Sequence, residues 1–147
     1  METGKSNYQE PEIHQENGTL AIDLGNSTTV VAFQGENDKA IKLLNLPPIS
    51  RSPGEVPSLV WHSNQSHPYT AIGNEISKLE ITRDNERNLH SDFKRWICAP
   101  DQSMVKESLL SPQKAGELLI REIWNHLPRN LNIKRLVLTA PVETYRE

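Results

Sequence analysis

The chain has 147 residues, 35% of them hydrophobic and 10 of them proline, which is room for one modest domain with a thin core. Lys and Arg total 16 and Asp and Glu 19, so no charge excess marks a nucleic-acid or anionic-membrane surface, and 5% aromatic content is too little for a base-stacking platform. No apolar run matches a membrane-spanning helix, the polar Met1 to Asn17 does not resemble a signal peptide, and the lone Cys98 excludes an internal disulfide framework, so a reducing, cytoplasmic setting is expected.

Met1 to Gly18 is rich in Gln, Glu, Asn and Pro, which predicts a disordered extension with structure beginning at Thr19. Leu20, Ile22 and Leu24 then alternate with Ala21 and Asp23, the period of a strand. Gly25-Asn26-Ser27 is a turn signal, because Gly and Asn tolerate positive φ. The β-branched run from Thr28 to Phe33 predicts a second strand, and Ala40 to Leu46 a third beyond the loop at Gly35 to Asp38. Pro47 to Pro57 reads as a loop, Ser58 to Trp61 as a strand, and Tyr69 to Ile72 as its partner, closed by Gly73. Asn74 to Leu79 and Ser91 to Ile97 are short helix candidates.

The clearest element is a helix from Pro112 to about His126, with Ser111 as N-cap and Pro112 in the first helical position. Ala115, Leu119, Ile123 and Leu127, with Leu118 beside them, form one apolar stripe, and Pro128 stops the helix. Ile133 to Ala140 is a strand whose continuous run Leu136-Val137-Leu138 suits cover on both faces. Strands, an irregular insert, a helix and a strand argue for an α/β or α+β domain.

The chemistry sits at the first turn. A tight Gly-containing turn aims successive backbone N–H groups into one concavity, which cradles phosphate oxygens. Hydroxyls at Ser27, Thr28 and Thr29 can add donors, and Asp23 stands at the strand end where its carboxylate could hold Mg²⁺ through water. A Walker A loop is excluded, since it needs Lys before Ser/Thr and a helix after it, whereas this turn joins two strands. An ordinary β-hairpin with a polar turn shares the Asp-x-Gly; the hydroxyls that follow, flanked by β-branched residues, favour phosphate.

Six landmarks along the chain occur in one order. They are Ile22-Asp23-Leu24-Gly25 followed by Val30-Val31-Ala32, Val56-Pro57-Ser58-Leu59-Val60, Ala71-Ile72-Gly73-Asn74-Glu75, Phe93-Lys94-Arg95-Trp96-Ile97, Ser111-Pro112, and Leu136 to Val142. In that order the sequence resembles the seventy-kilodalton heat-shock chaperones, within the actin, sugar-kinase and heat-shock ATPase superfamily. The resemblance implies an RNase-H-like actin-type fold, incomplete here. Residues 19–46 and 111–147 would supply core sheet and helix, and 47–110 an inserted subdomain.

The resemblance also implies roles. Asp23 would face a Mg²⁺-water cluster, and Gly25, Asn26, Ser27 and Thr28 would wrap the phosphates of ATP. Lys94 would reach toward the γ-phosphate and the attacking water, where a cation offsets charge as the phosphoryl group transfers. Thr139 and Pro141 would lie at a strand end by the cleft. Unfolded polypeptide clients and co-chaperones would be partners of a complete protein. The family usually carries Thr-Thr after the Gly where this chain has Asn26-Ser27, a departure that bears on rate more than on binding. The family's second hairpin, adenosine motif and peptide-binding domain would all follow Glu147, so this chain alone is expected to have negligible ATPase activity. Two other readings stay open: a relative such as a type III pantothenate kinase, and a non-catalytic interaction module that uses an open sheet edge.

The remaining residues have plainer readings. His14, His62, His67, His90 and His126 show no metal-ligand spacing and read as scattered surface residues. Cys98 reads as a structural thiol, and Trp61, Trp96 and Trp124 as packing residues.

Overall fold

A computed structural model describes residues 13–97, 99 and 109–139. Strand β1 (Glu16–Asp23) buries Leu20 and Ile22 on its inward face and exposes Asp23 at its end. The turn at Gly25 to Ser27 leads into β2 (Thr28–Gly35), whose Val31, Ala32 and Phe33 are all buried. Two short strands follow, β3 (Lys42–Leu43) and β4 (Glu55–Pro57). Next come β5 (Val60–Ser63), β6 (Tyr69–Ile72), a 3₁₀ turn over Gly73–Lys78, another over Glu86–Asn88, and β7 (Leu89–His90). Helix α1 (Lys94–Ile97) is a single turn, α2 (Pro112–Asn125) is long, and β8 (Leu131–Leu138) follows it.

The described residues form a mixed α/β fold with two sheets. The larger has the order β3-β2-β1-β8, with β4 joining the hairpin end of β2. β1 pairs antiparallel with β2 and parallel with β8, and α2 makes the crossover that a parallel pair requires. The smaller sheet, β6-β5-β7, is antiparallel. Ser111 caps α2 by accepting the Lys114 amide at 3.1 Å, and Pro112 opens the helix. The stripe Ala115, Leu118, Leu119 and Ile123 then packs on Leu20, Ile22 and Val31, and Leu46, Ile49 and Val56 close the same core. A smaller cluster of Trp61, Ala71 and Ile76 lies under the second sheet. Among the described residues no helix is long and apolar enough to cross a membrane.

The β1–β8 ladder contains one irregularity. Gly18 pairs with Ile133 but Thr19 pairs with Arg135, so Lys134 is an extra residue on β8. A Cβ on Gly18 would come within 2.3 Å of the Gln34 carbonyl oxygen, so only glycine fits the strand there.

Several elements differ from the sequence expectation. β1 begins at Glu16, so Glu16 to Gly18 are strand and not extension; β2 and β8 supply ladder partners that composition does not reveal. Residues 1–12, Cys98 and Pro141 lie outside the described residues. The predicted third strand shrinks to Lys42–Leu43, because Ile41 and Leu43 are exposed while Leu46 turns into the core. β4 forms inside the predicted loop, and the strand expected at Ser58 starts at Val60 because Ser58 is engaged with the hairpin. The run Leu136-Val137-Leu138, expected to be covered on both faces, is 45–47% exposed. Trp124 is also exposed on α2, and His90 is buried rather than superficial.

Candidate functional site

Asp23 and Thr139 end two parallel neighbours, and the site is built where they stop. The carboxyl ends of adjacent parallel strands form the crevice that ligands use in α/β sheets. Thr139 Oγ1 donates to Asp23 Oδ1 at 2.7 Å and accepts the Leu24 amide at 3.2 Å. The Thr139 amide donates to the Ile22 carbonyl at 3.1 Å. One threonine thereby fixes both the carboxylate rotamer and the entry into the turn. The other carboxylate oxygen of Asp23 has no hydrogen-bond partner among the described residues.

The turn itself is shaped by Gly25, where a Cβ would meet the Thr28 carbonyl oxygen at 2.1 Å. Asn26 and Ser27 are exposed at the tip, with Gly25 and Thr28 half-buried beside them. No acceptor engages the amides of Gly25, Asn26 or Ser27 among the described residues.

The far side of the turn is held by Ser58, which the sequence reading used only as a landmark. Ser58 Oγ donates to the Gly25 carbonyl at 2.7 Å, and the Ser58 amide donates to the Ser27 carbonyl at 2.9 Å. Ser58 and Thr29 hydroxyls lie 2.9 Å apart, both buried. Since Ser58 spends its one proton on Gly25, Thr29 must be the donor in that pair. The hydroxyl of Thr29, expected as a phosphate donor, is therefore committed to Ser58. The only advance signal of this clamp was the Pro57-Ser58 landmark, since a contact across thirty-three residues leaves no local pattern.

Arg51 also borders the hairpin, with Nη2 at 3.4 Å from both Thr28 Oγ1 and Glu55 Oε2. Hydrogen bonds from Ser52 and then Arg51 hold the Glu55 carboxyl below its usual range. Lys94 opens α1 and is half-buried, and among the described residues no hydrogen bond or ion pair joins it to the hairpin. The structure thus brings together Asp23, Gly25 to Thr28 and Thr139 from the expected set, adds Ser58 and Arg51, and leaves Lys94 unconnected to them by any such contact.

Away from the hairpin, His90 is buried, and its Nε2 lacks a hydrogen-bond partner among the described residues. Burial, and then the nearby His62, push its pKa down. His62 bonds Thr70 Oγ1 at 2.9 Å and Asn64 Oδ1 at 2.7 Å, so its two nitrogens are already engaged. No cluster of three or more His, Cys, Asp or Glu suited to a metal occurs among the described residues. No protein-family model matches the chain, and no curated protein matches it in sequence.

Proposed function

We propose that the hairpin binds the phosphates of a nucleotide, with Mg²⁺ at Asp23, as the first half of a heat-shock-type ATP site. The observation that carries this is the set of amides at Gly25, Asn26 and Ser27 with no acceptor among the described residues, beside a carboxylate with one oxygen uncommitted among them. A concavity of N–H groups favours an anion, and a carboxylate alone would repel it. Mg²⁺ keeps most of its waters and needs only one or two carboxylates plus phosphate, so Asp23 fits that ion without further protein ligands. When bound, the ion would offset charge between Asp23 and the phosphates. Thr139 orients the carboxylate, and the hairpin amides orient the phosphoryl chain.

The sheet order supports the wider reading. An antiparallel β3-β2-β1 with β8 parallel to β1 beyond a crossover helix matches the arrangement expected for an RNase-H-like first lobe. The roles of Lys94 and Pro141, the chaperone activity and its clients rest on the family resemblance alone, and a cytoplasmic location on the lone cysteine and the polar N-terminal sequence. The exposed apolar edge of β8 favours a second reading, an interaction module that pairs through that edge.

The test is amide NMR of the chain titrated with Mg-ATP. Asn26 and Ser27 resonances should move and Asp23→Ala should abolish the magnesium dependence. Unmoved hairpin amides at millimolar nucleotide would sink the reading.

A further inference from the structure

Ser58 belongs to the segment between β4 and β5, yet among the described residues its polar contacts all go to the hairpin. It reaches the carbonyls of Gly25 and Ser27 and the hydroxyl of Thr29. A trans peptide sets its C=O and N–H in opposite directions. Holding the Gly25 carbonyl toward Ser58 therefore turns the Asn26 N–H away from it. Holding the Ser27 carbonyl does the same for the Thr28 N–H.

We propose that Ser58 is a positioning residue for phosphate recognition, setting two peptide planes so that N–H groups and not carbonyls face the ligand. This rests on the phosphate reading of the hairpin. A flipped plane would present a carbonyl oxygen to a phosphate oxygen and turn attraction into repulsion. Gly25 makes that flip sterically easy, because it lacks the Cβ that would resist rotation of the Gly25–Asn26 plane. The hydroxyl supplies the restraint that the glycine cannot. Thr29, buried and donating into Ser58, fixes which way the Ser58 proton points.

The experiment compares wild type, Ser58→Ala, Ser58→Thr and Ile76→Ala by amide NMR during Mg-ATP and Mg-pyrophosphate titration. Ile76→Ala destabilises the small cluster without touching the hairpin, and so controls for stability loss alone. Ser58→Ala should raise Kd about tenfold, the scale of one lost orienting hydrogen bond, and abolish the Asn26 shift, while Thr28, whose peptide plane is held by the Ser58 backbone amide, keeps its own. Ser58→Thr should restore both, and Ile76→Ala should leave Kd within about threefold of wild type. Ser58→Ala binding like wild type with the same shifts overturns the proposal, as does Ile76→Ala weakening binding equally. Wild type that fails to bind at all removes the phosphate reading and this inference with it.

Discussion

Strands β1 and β8 are parallel neighbours, and β8, with five apolar residues to the three of β1, is nonetheless the more exposed. Leu20 and Leu136 are register partners; Leu20 is 0% exposed and Leu136 47%. β1 has β2 on its other side and α2 across its face, whereas β8 is an edge strand whose Leu136 and Leu138 lie beyond the helix stripe. An apolar pattern specifies a strand; what covers it is decided by neighbours. The charges that blunt the β8 edge, Lys134 and Arg135, sit in the middle of the strand and leave its apolar end open.

The largest test of this contrast is truncation at the paired positions. Leu20→Ala should cost about 2–5 kcal/mol and Leu136→Ala under about 1 kcal/mol, read from urea unfolding. Equal losses would break the comparison. The seam between the strands comes next. Thr139→Val removes the hydroxyl that joins Asp23 to the Leu24 amide and should cost about 0.5–1.5 kcal/mol, with Thr139→Ser recovering most of it.

A pH series separates the small sheet from both strands. The folded pKa of His90 is depressed, so below the usual histidine value of about 6.5 the unfolded chain binds the proton first. Stability should be level above that pH and fall as pH drops through it toward the depressed folded pKa. His90→Gln should flatten the fall, while changes in β1 or β8 should leave its slope intact. The smallest effect is at the open edge. Val137→Lys should alter stability by no more than about 0.5 kcal/mol, yet reduce self-association in sedimentation if that edge recruits other strands.

Much of the main sheet was legible because its signals are local. Leu20/Ile22/Leu24 alternation, the Gly25 turn and the Ser111-Pro112 helix start each declare themselves within a few residues, and the structure agrees at each. Asp23 and the turn were legible for the same reason. Contacts formed by folding were not. The β4 strand has three residues and borrows its order from β2, His90 is buried where β7 pairs with β5, and Ser58 reaches partners some thirty residues earlier in the chain. Trp124 illustrates the opposite error, since an aromatic within a helix says nothing about which face it occupies until the stripe is counted.

The extra residue at Lys134 acts as a phase shift on the sheet. In an uninterrupted ladder Thr19 would pair with Lys134, and Asp23 would meet Leu138. The slip moves Leu136 and Leu138 into step with Leu20 and Ile22, on the same side as Ile133, which packs on the core. It also delivers Thr139 alongside Asp23, where a leucine could offer the carboxylate no proton. The identity of the side chain that greets Asp23 is thus chosen upstream, by one residue inserted five positions before it.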